Sequence, residues 1–234
     1  MARELGRETI AVIGGTGPEG SGLALRWARA GFPVAIGSRD ASRAGEMAAR
    51  IQQRVGGGRV YGAENVAAAA SAEIVVLTVP FAAQQTTLKA IRGALRPGQV
   101  VVDVTVPLAA AIGGRATRVL GVWEGSAAEA TAESVPDGVS VVAAFHNISA
   151  GHLDHLEAAI DCDVLVCGDE RGSKVRVARL VEALDGARFV DAGPLANARI
   201  VESITALLVG INIRYKIPGA GIRITGLPAA EPRS

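Results

Sequence analysis

A glycine-rich turn between an apolar run and a segment of helical periodicity constrains the fold most. The residues from Thr9 to Arg29 read TIAVIGGTGPEGSGLALRWAR, in which Gly15, Gly17 and Gly20 form the pattern G-x-G-x-x-G. The pattern follows a predicted strand and opens a predicted helix, which is the context in which it binds a dinucleotide. The first glycine permits the tight turn, the second lets the backbone approach a pyrophosphate, and the third lets helix pack on strand. A turn of purely structural use is the alternative, but it leaves the three offsets unexplained.

The rest of the chain repeats this alternation of strand and helix. Alanine-rich segments of helical periodicity, such as RAGEMAARIQQRV and SKVRVARLVEALDG, separate eight runs rich in valine and isoleucine: TIAVI, FPVAIG, GRVYG, EIVVLTVP, QVVVDVTVP, VSVVAAFH, DVLVCGD and ARFVDAG. Such strands are typical of a parallel sheet covered on both faces. We therefore predict an α/β fold with a doubly wound parallel sheet of the Rossmann type. We expect a dinucleotide-binding domain over residues 1–149 and a smaller C-terminal α/β region over residues 150–234.

Two segments depart from the alternation. The stretch from Leu108 to Asp137 has no clear periodicity, and long irregular insertions are usually functional or mobile. The last predicted helix, from Leu195 to Tyr215, is apolar on more than one face, so it must be buried on more than one face.

Composition excludes several classes of partner. A net charge of +1 and 3% aromatic residues offer neither a basic field nor stacking platforms for nucleic acid. Cys162 and Cys167 lack CxxC spacing and are expected to be reduced, buried thiols. The N-terminus MARELGRE has no apolar region of a signal peptide, and the longest apolar run, ITALLVGINI, is about half of a membrane span. We expect a cytoplasmic protein with no nucleic-acid or membrane partner.

The end of the second strand indicates which dinucleotide is bound. An NAD enzyme usually places an acidic residue on the ribose about twenty residues after the glycines, whereas this strand ends IGSRDASR. A serine hydroxyl and guanidinium groups suit a 2′-phosphate, so Ser38, Arg39 and Arg43 favour NADP. Asp40 is the contrary sign, because a shift of one or two positions could make it the ribose ligand of an NAD enzyme. The arginines could also be a solvated helix start.

Three other strand ends supply further candidates, because the carboxyl ends of parallel strands line the ligand crevice. They read LTVP, VTVP and AFHNIS, and they contribute the candidates Thr78, Val79, Pro80, Val106, Pro107, His146, Asn147, Ile148 and Ser149. A lone histidine in an apolar strand is more often a core residue than a catalyst. His146 lies at the end of its strand, which makes the two interpretations more nearly equal. His152 and His155 have ligand-like spacing, yet nothing else completes a metal set, so we interpret them as a polar helix start and predict no metal site.

Eight segments of the sequence resemble those of a known protein family. The phrases that carry the resemblance are GGTGPEGSGLALR, GSR, VLTVP, GSAAEA, AFHNISA, DVLVCGD, DAGPLANARIVESIT and GINIRYKIPGAGIRITG. From about Thr9 to Gly226 the chain resembles the NADPH-dependent reductases of the deazaflavin coenzyme F420, and AFHNISA and DAGPLANARIVES are the most specific phrases. It departs from members that have HTIP where this chain has HNIS, and its tail KIPGAGIRITG is extended.

The resemblance implies a homodimer and direct hydride transfer between NADP(H) and coenzyme F420 as co-substrate, without a metal or a covalent intermediate. His146, Ile148 and Thr205 would face the deazaflavin and nicotinamide rings. The residues expected to bind cofactor are Gly15, Thr16, Gly17, Pro18, Glu19, Gly20, Ser38, Arg39, Arg43, Thr78, Val79, Pro80, Val106, Pro107, Asn147 and Ala220. Arg214, Lys216 and Arg223 are candidates for the acidic tail of the coenzyme, although a solvated C-terminal face explains them equally well.

Two other functions stay open. The chain could be a non-catalytic NADP sensor that signals through a partner. It could also be an NADPH-dependent reductase of flavin or ferric iron, since it has a looser resemblance to the cytosolic domains of membrane ferric reductases. A small-molecule redox acceptor is expected for either reductase.

Overall fold

The computed structural model describes residues 8–227, which form one sheet flanked by helices. The strands are β1 Ile10–Ile13, β2 Val34–Ser38, β3 Val60–Glu64, β4 Ile74–Leu77, β5 Val100–Asp103, β6 Ser140–Ala143, β7 Asp163–Gly168 and β8 Arg188–Asp191. The helices are α1 Pro18–Arg29, α2 Ala41–Val55, α3 Asn65–Ser71, α4 Phe81–Ile91, α5 Ala127–Ser134, α6 Ala150–Leu153, α7 Arg171–Glu182 and α8 Ala198–Tyr215. Each of the eight predicted strands is confirmed.

The strand order is β3-β2-β1-β4-β5-β6-β7-β8. The chain therefore runs outward from β1 to β3, returns to β4 on the other side of β1, and continues outward in the opposite direction. β1 pairs in parallel with both neighbours, with Ile10 opposite Val34 on β2 and Ile74 on β4. The reversal between β1 and β4 is a topological switch point, where the connections diverge and leave a crevice outside the carboxyl ends of the strands.

One pairing departs from the predicted parallel sheet. β6 and β7 are antiparallel, with Val142 opposite Gly168 and Ala143 opposite Cys167. A parallel pair needs a crossover that carries the chain back along the sheet, usually a helix. The connection between β6 and β7 contains only the single turn α6, so β7 enters from the opposite end. The boundary expected after residue 149 falls within this connection.

Helices cover both faces of the sheet, as a doubly wound fold requires. On one face α1, α2 and α7 pack on Ile10, Val12 and the strand residues in the same register. On the other face α3, α4, α5 and α8 pack on Ala11, Ile13 and their neighbours. Because successive strand residues point to opposite faces and both faces are buried, the strands read as continuous apolar runs.

The segment from Leu108 to Asp137 is more regular than its sequence predicts. It contains α5, whose N-cap residue is Ser126; the Ser126 hydroxyl accepts a hydrogen bond from Glu129 N at 3.0 Å. Most of α5 is alanine and small polar residues, so no large apolar side chain marks its helical period. The remainder is held by a bridge between Leu108 and Val119.

α8 begins three residues later than predicted, after a 3-10 turn at Leu195–Asn197. Together these 21 residues are long and apolar enough to cross a membrane: an 18-residue stretch within them has a mean hydropathy of 1.2, and 28% of that stretch is buried. One such helix is weak support for a membrane span, because a core or interface helix has the same properties.

Candidate active site

The carboxyl ends of β1, β4 and β5 open into a cavity of about 660 Å³, here called the strand-end cavity. The predicted residues that line it are Thr16, Gly17, Pro18, Glu19, Ser38, Arg39, Arg43, Thr78, Val79, Pro80, Val106 and Thr205. Gly15, Gly20 and Pro107 are buried behind these residues. The lining also includes residues that the sequence reasoning missed, among them Asn65, Phe81, Thr86, Thr87 and Thr105.

Two of the three motif glycines are required by packing within the protein. A Cβ at Gly15 would lie 2.7 Å from Val12 O, and a Cβ at Gly20 would lie 2.4 Å from Thr78 Oγ1. At Gly17 the nearest atom to such a Cβ is Gly14 O at 3.5 Å, so the fold has room for a side chain there. Gly17 lies at the cavity, and packing within the protein does not require a glycine there. A glycine at this place fits a backbone that a ligand approaches closely.

The N-terminus of α1 faces the same place. Gly17 is the N-cap residue and makes no side-chain cap, and Pro18 fills the first position of the helix. The first N–H groups of a helix have no partner within it, and together with the helix dipole they form an anion site. The turn therefore has the features of an anion-binding site.

The side chains after β2 form a cationic end of the cavity. The Asp40 carboxylate caps α2, because Oδ1 accepts from Ser42 N at 2.9 Å and from Arg43 N at 3.3 Å. Oδ1 of Asp40 thus caps the helix, and Asp40 also lines the cavity. Arg39 and Arg43 are exposed, and within residues 8–227 neither makes an ion pair or a side-chain hydrogen bond. Two unpaired guanidinium groups beside Ser38 fit a phosphate monoester.

Two buried oxygen atoms on the wall of the cavity lack a partner in the described part of the chain. They are Asn65 Oδ1, at the start of α3, and Glu19 Oε1, in the first turn of α1. Burial raises the pKa of Glu19 to about 8. A buried polar oxygen without a hydrogen-bond partner is costly, so such atoms mark places where a ligand or water supplies the partner.

The wall beyond β5 rests on a buried polar network. Asp103 accepts from Thr105 N at 2.7 Å, from Thr105 Oγ1 at 2.6 Å and from Gln84 Nε2 at 2.8 Å, and Thr131 Oγ1 also donates to it. Burial raises the pKa of Asp103, while these hydrogen bonds oppose the rise. The network fixes Thr105 and its neighbours Val104 and Val106 as a rigid wall.

The residues after β6 form a sharp turn beside α8. Phe145 has a φ of 70° and packs edge-on against Trp27, with ring centroids 5.7 Å apart. A left-handed aromatic residue is strained, and here the packing holds it. The turn places the His146 carbonyl oxygen against α8, where Thr205 Oγ1 donates to it at 2.7 Å.

His146 itself is buried, and neither ring nitrogen has a partner among the described residues. Burial lowers the pKa of His146 to about 4, so the imidazole is neutral near pH 7 and offers one donor and one acceptor. Ile148, on the same turn, is only 8% exposed and packs with the core cluster that contains Trp27.

A second cavity, of about 620 Å³, lies on the other side of this turn and is here called the tail cavity. Its lining includes Asn147, Ser149, His152 and Ala220. Asn147 Nδ2 donates to Asp163 O at 2.6 Å while its Oδ1 has no partner in the described chain, and Ala220 N donates to Asn212 Oδ1 at 2.7 Å. The predicted acceptor residues therefore divide: Thr205 lies on the strand-end cavity, and Asn147 and Ala220 lie on the tail cavity.

Arg223, a candidate for an acidic coenzyme tail, is already paired. Its guanidinium binds Asp161 and Asp163, at 2.5 and 2.9 Å. Arg214 and Lys216 are exposed at the end of α8. Within residues 8–227 no group of three or more histidine, cysteine, aspartate or glutamate side chains is placed to hold a metal ion.

Comparison with known proteins agrees with this geometry. Residues 9–107 match the family model described as NADP oxidoreductase, coenzyme F420-dependent. The chain is 50% identical to the F420-dependent NADP reductase of Methanothermobacter thermautotrophicus, covering 95% of this chain and 97% of that protein. It is 46% identical to the protein of the same name from Methanothermobacter marburgensis, covering 94% and 99%.

A solved structure shares the whole architecture. The crystal structure of an Arthrobacter sp. FB24 protein assigned as an F420-dependent NADP reductase superposes with a TM-score of 0.79 at 26% identity, covering 94% of this chain and all of that one. These similarities extend over both the glycine-loop half and the C-terminal half. The chain belongs to the family of F420-dependent NADP reductases.

Proposed function

We propose that this protein is an oxidoreductase that transfers a hydride directly between NADP(H) and the deazaflavin coenzyme F420. The observation that carries the proposal is the strand-end cavity, with two unpaired arginines at one end and Thr205, bonded to the His146 carbonyl, at the other. A cationic end suits the 2′-phosphate, and a neutral, uncharged end suits two stacked heterocycles.

The NADP half rests on three places in the described chain, one each for the pyrophosphate, the 2′-phosphate and the nicotinamide. The pyrophosphate lies at Gly17 and the N-terminus of α1, and Ser38, Arg39 and Arg43 hold the 2′-phosphate. The nicotinamide lies along the strand ends, beside Val79, Pro80 and Val106. Residues up to 149 thus form the dinucleotide-binding part.

The acceptor half uses the turn after β6 and the C-terminal region. The neutral ring of His146 can donate one hydrogen bond and accept another, which matches a heterocycle that carries both N–H and C=O groups. Thr205 on α8 lines the strand-end cavity, and His146 and Ile148 are buried on the turn beside it without lining either cavity. Asn147 and Ala220 adjoin the tail cavity, where the rest of the coenzyme leaves the site.

The nicotinamide and the deazaflavin supply the redox chemistry, and the protein orients the two rings and excludes water from them. Direct transfer requires the donor and acceptor carbons to be held face to face at near-attack distance. The rigid wall on the Asp103 network and the strained turn at Phe145 provide such fixed surfaces. Among the described residues, neither surface presents a charged side chain at the proposed reacting end. Direct hydride transfer needs no acid or base there.

An isotope experiment tests the reaction. NADPH deuterated on one face of the nicotinamide should give reduced F420 that carries the deuterium in ordinary water, because the hydride does not exchange with solvent. The same preparation should be offered free flavins and ferric iron in parallel. Rapid reduction of flavin or ferric iron with no reduction of F420 would replace this proposal with the flavin or ferric reductase. NADPH binding without oxidation by any acceptor would favour the NADP sensor.

The assembly and the compartment belong to the same proposal. The exposed apolar side chains of α8 support a homodimer, because a monomer rarely leaves such a face in water. F420 and NADP(H) are then small-molecule substrates of a cytoplasmic enzyme that has no nucleic-acid or membrane partner.

A further inference from the structure

Glu19 is the one acidic residue in the glycine turn, and its position is unusual for a negative charge. It lies in the first turn of α1 and lines the strand-end cavity. Its Oε1 is sealed from solvent with no hydrogen-bond partner among residues 8–227, whereas Oε2 is not sealed in this way. The carboxyl group therefore has one oxygen without any donor and one that faces the cavity.

A bound cofactor would further destabilise the ionised form of Glu19. The free N–H groups of α1, which would favour a carboxylate in the empty site, are those that the proposed pyrophosphate takes. The bound pyrophosphate also brings negative charge and displaces water from the cavity. An ionised Glu19 would then face like charge in a dry site, with no donor left for either oxygen.

We propose that NADP(H) binding is linked to protonation of Glu19: the neutral carboxylic acid donates a hydrogen bond to a pyrophosphate oxygen, and ionised Glu19 excludes the cofactor. This rests on the proposed NADP site. The O–H bond stays intact and no electrons move, so the step is a proton uptake from solvent wherever Glu19 is ionised in the free protein.

Burial already holds the pKa of Glu19 at about 8 before the cofactor arrives. The charged or titratable side chains around the cavity are few. They are Arg39, Asp40 and Arg43 at the 2′-phosphate end and Asp103 behind Thr105, whereas His152 and Arg26, where α6 packs on α1, lie outside the lining. Glu202, whose pKa is also raised to about 8, binds the N-terminus of α5 and is not part of the lining.

The sign of the linkage follows from these positions. Well below pH 8 Glu19 is protonated, and the affinity for NADPH does not depend on its titration. Above pH 8 each unit of pH weakens binding up to tenfold, so the Kd for NADPH should rise about 30-fold between pH 7 and pH 9.5. The second ionisation of the 2′-phosphate, near pH 6, is complete below this window.

Binding titrations on the full chain test the proposal. In Glu19→Gln, an uncharged near-isostere, the Kd for NADPH should stay within about twofold from pH 7 to pH 9.5. Calorimetry at pH 8.5 in buffers of different ionisation enthalpy should show uptake of most of one proton by the natural protein and none by Glu19→Gln. Glu19→Leu, which cannot titrate either, should also give a flat profile if the glutamine variant does not fold.

Two control variants separate Glu19 from other groups. Glu202→Gln removes a second carboxyl whose pKa burial raises to about 8, and Glu133→Gln removes an exposed carboxyl on α5. Both should keep the 30-fold slope. 2′-Phospho-ADP-ribose, which has the pyrophosphate but no nicotinamide, should show the same pH dependence as NADPH.

The outcomes are distinct. Tight NADPH binding that is flat with pH in the natural protein, or a slope that persists in both Glu19 variants, overturns the inference and leaves the reductase proposal standing. A slope for NADPH that is absent for 2′-phospho-ADP-ribose overturns the pyrophosphate contact. No NADPH binding at pH 7 contradicts the proposed function itself.

Discussion

At the scale of single residues, the unsatisfied polar atoms are concentrated where the ligands are proposed to bind. Among residues 8–227 the buried side-chain atoms without a partner belong to Glu19, Asn65, His146 and Asn147. Glu19 and Asn65 line the strand-end cavity, and Asn147 lines the tail cavity. His146 lies on the turn between the two cavities. Because such atoms cost stability in a closed core, their clustering indicates that ligand groups complete the site.

Arg39 carries the clearest prediction at this scale. Replacing it by alanine should weaken NADPH binding by about 1.5–3 kcal/mol, the size of a lost charged hydrogen bond, and leave NADH binding nearly unchanged. Titration of both cofactors into both proteins measures this. Arg171→Ala, an exposed arginine at the start of α7, is the matched control. Equal losses for NADH and NADPH would mean that Arg39 does not contact the 2′-phosphate.

The sequence alone identified the glycine turn and the residues after β2, because both depend on short local patterns. It could not find Asn65 or Thr105. Asn65 follows an ordinary strand, and it reaches the cavity only because β3 lies beside β2 in the sheet. The burial of Glu19 is likewise a result of packing, since a glutamate in the first turn of a helix is usually solvated and favourable.

At the scale of elements, the C-terminal tail is attached to β7 by one buried carboxylate. Asp163 accepts from Arg188 at 2.6 and 2.8 Å, from Arg223 at 2.9 Å and from Ile224 N at 2.6 Å. The Arg188 hydrogen bond is the main cause that lowers the pKa of Asp163 to about 2. Its contribution to stability is therefore present above pH 4 and is lost as the pH falls towards 2.

Asp163→Asn should release this tail. We expect a loss of about 2 kcal/mol in the free energy of unfolding, because two guanidinium groups lose their shared carboxylate while remaining partly hydrated. Hydrogen exchange of residues 217–227 should accelerate before global unfolding. Asp161→Asn, which removes an exposed carboxylate paired with Arg223, should have a much smaller effect. Unchanged exchange in Asp163→Asn would show that the tail is held by other contacts.

Elements with large apolar residues were predictable, and those without them were not. The eight strands are confirmed because a sheet buried on both faces requires valine- and isoleucine-rich runs. α3 and α5 went undetected because alanine makes up half or more of each helix and no large apolar residues mark the helical period. The antiparallel pairing of β7 escaped prediction because strand direction depends on the connection, and the helix start expected near His152 proved to be the four-residue α6, too short to carry the chain back along the sheet.

At the scale of the whole molecule, α8 is the element that a single chain leaves incompletely covered. Its inner face packs on the sheet through Ala198 and Val201, whereas Ile200 and Leu207 are 60% and 63% exposed. These two residues are two helical turns apart and share one face. Ile213 and Tyr215, near the end of the helix, are also exposed. An apolar surface of this kind on a helix that also carries Thr205 suggests that assembly and the active site depend on the same element.

The resulting prediction is a dimer of about 48 kDa, twice the chain mass of 23.9 kDa, in light scattering at micromolar concentration. Leu207→Glu should shift the mass towards that of one chain, because two-fold symmetry would bring two buried carboxylates onto one interface. Val175→Glu, on α7 at the opposite face of the sheet, is the matched control and should remain dimeric. Circular dichroism should establish that both variants are folded. A natural protein that scatters as 23.9 kDa at every concentration would rule out the dimer, and the exposed face of α8 would then need another partner.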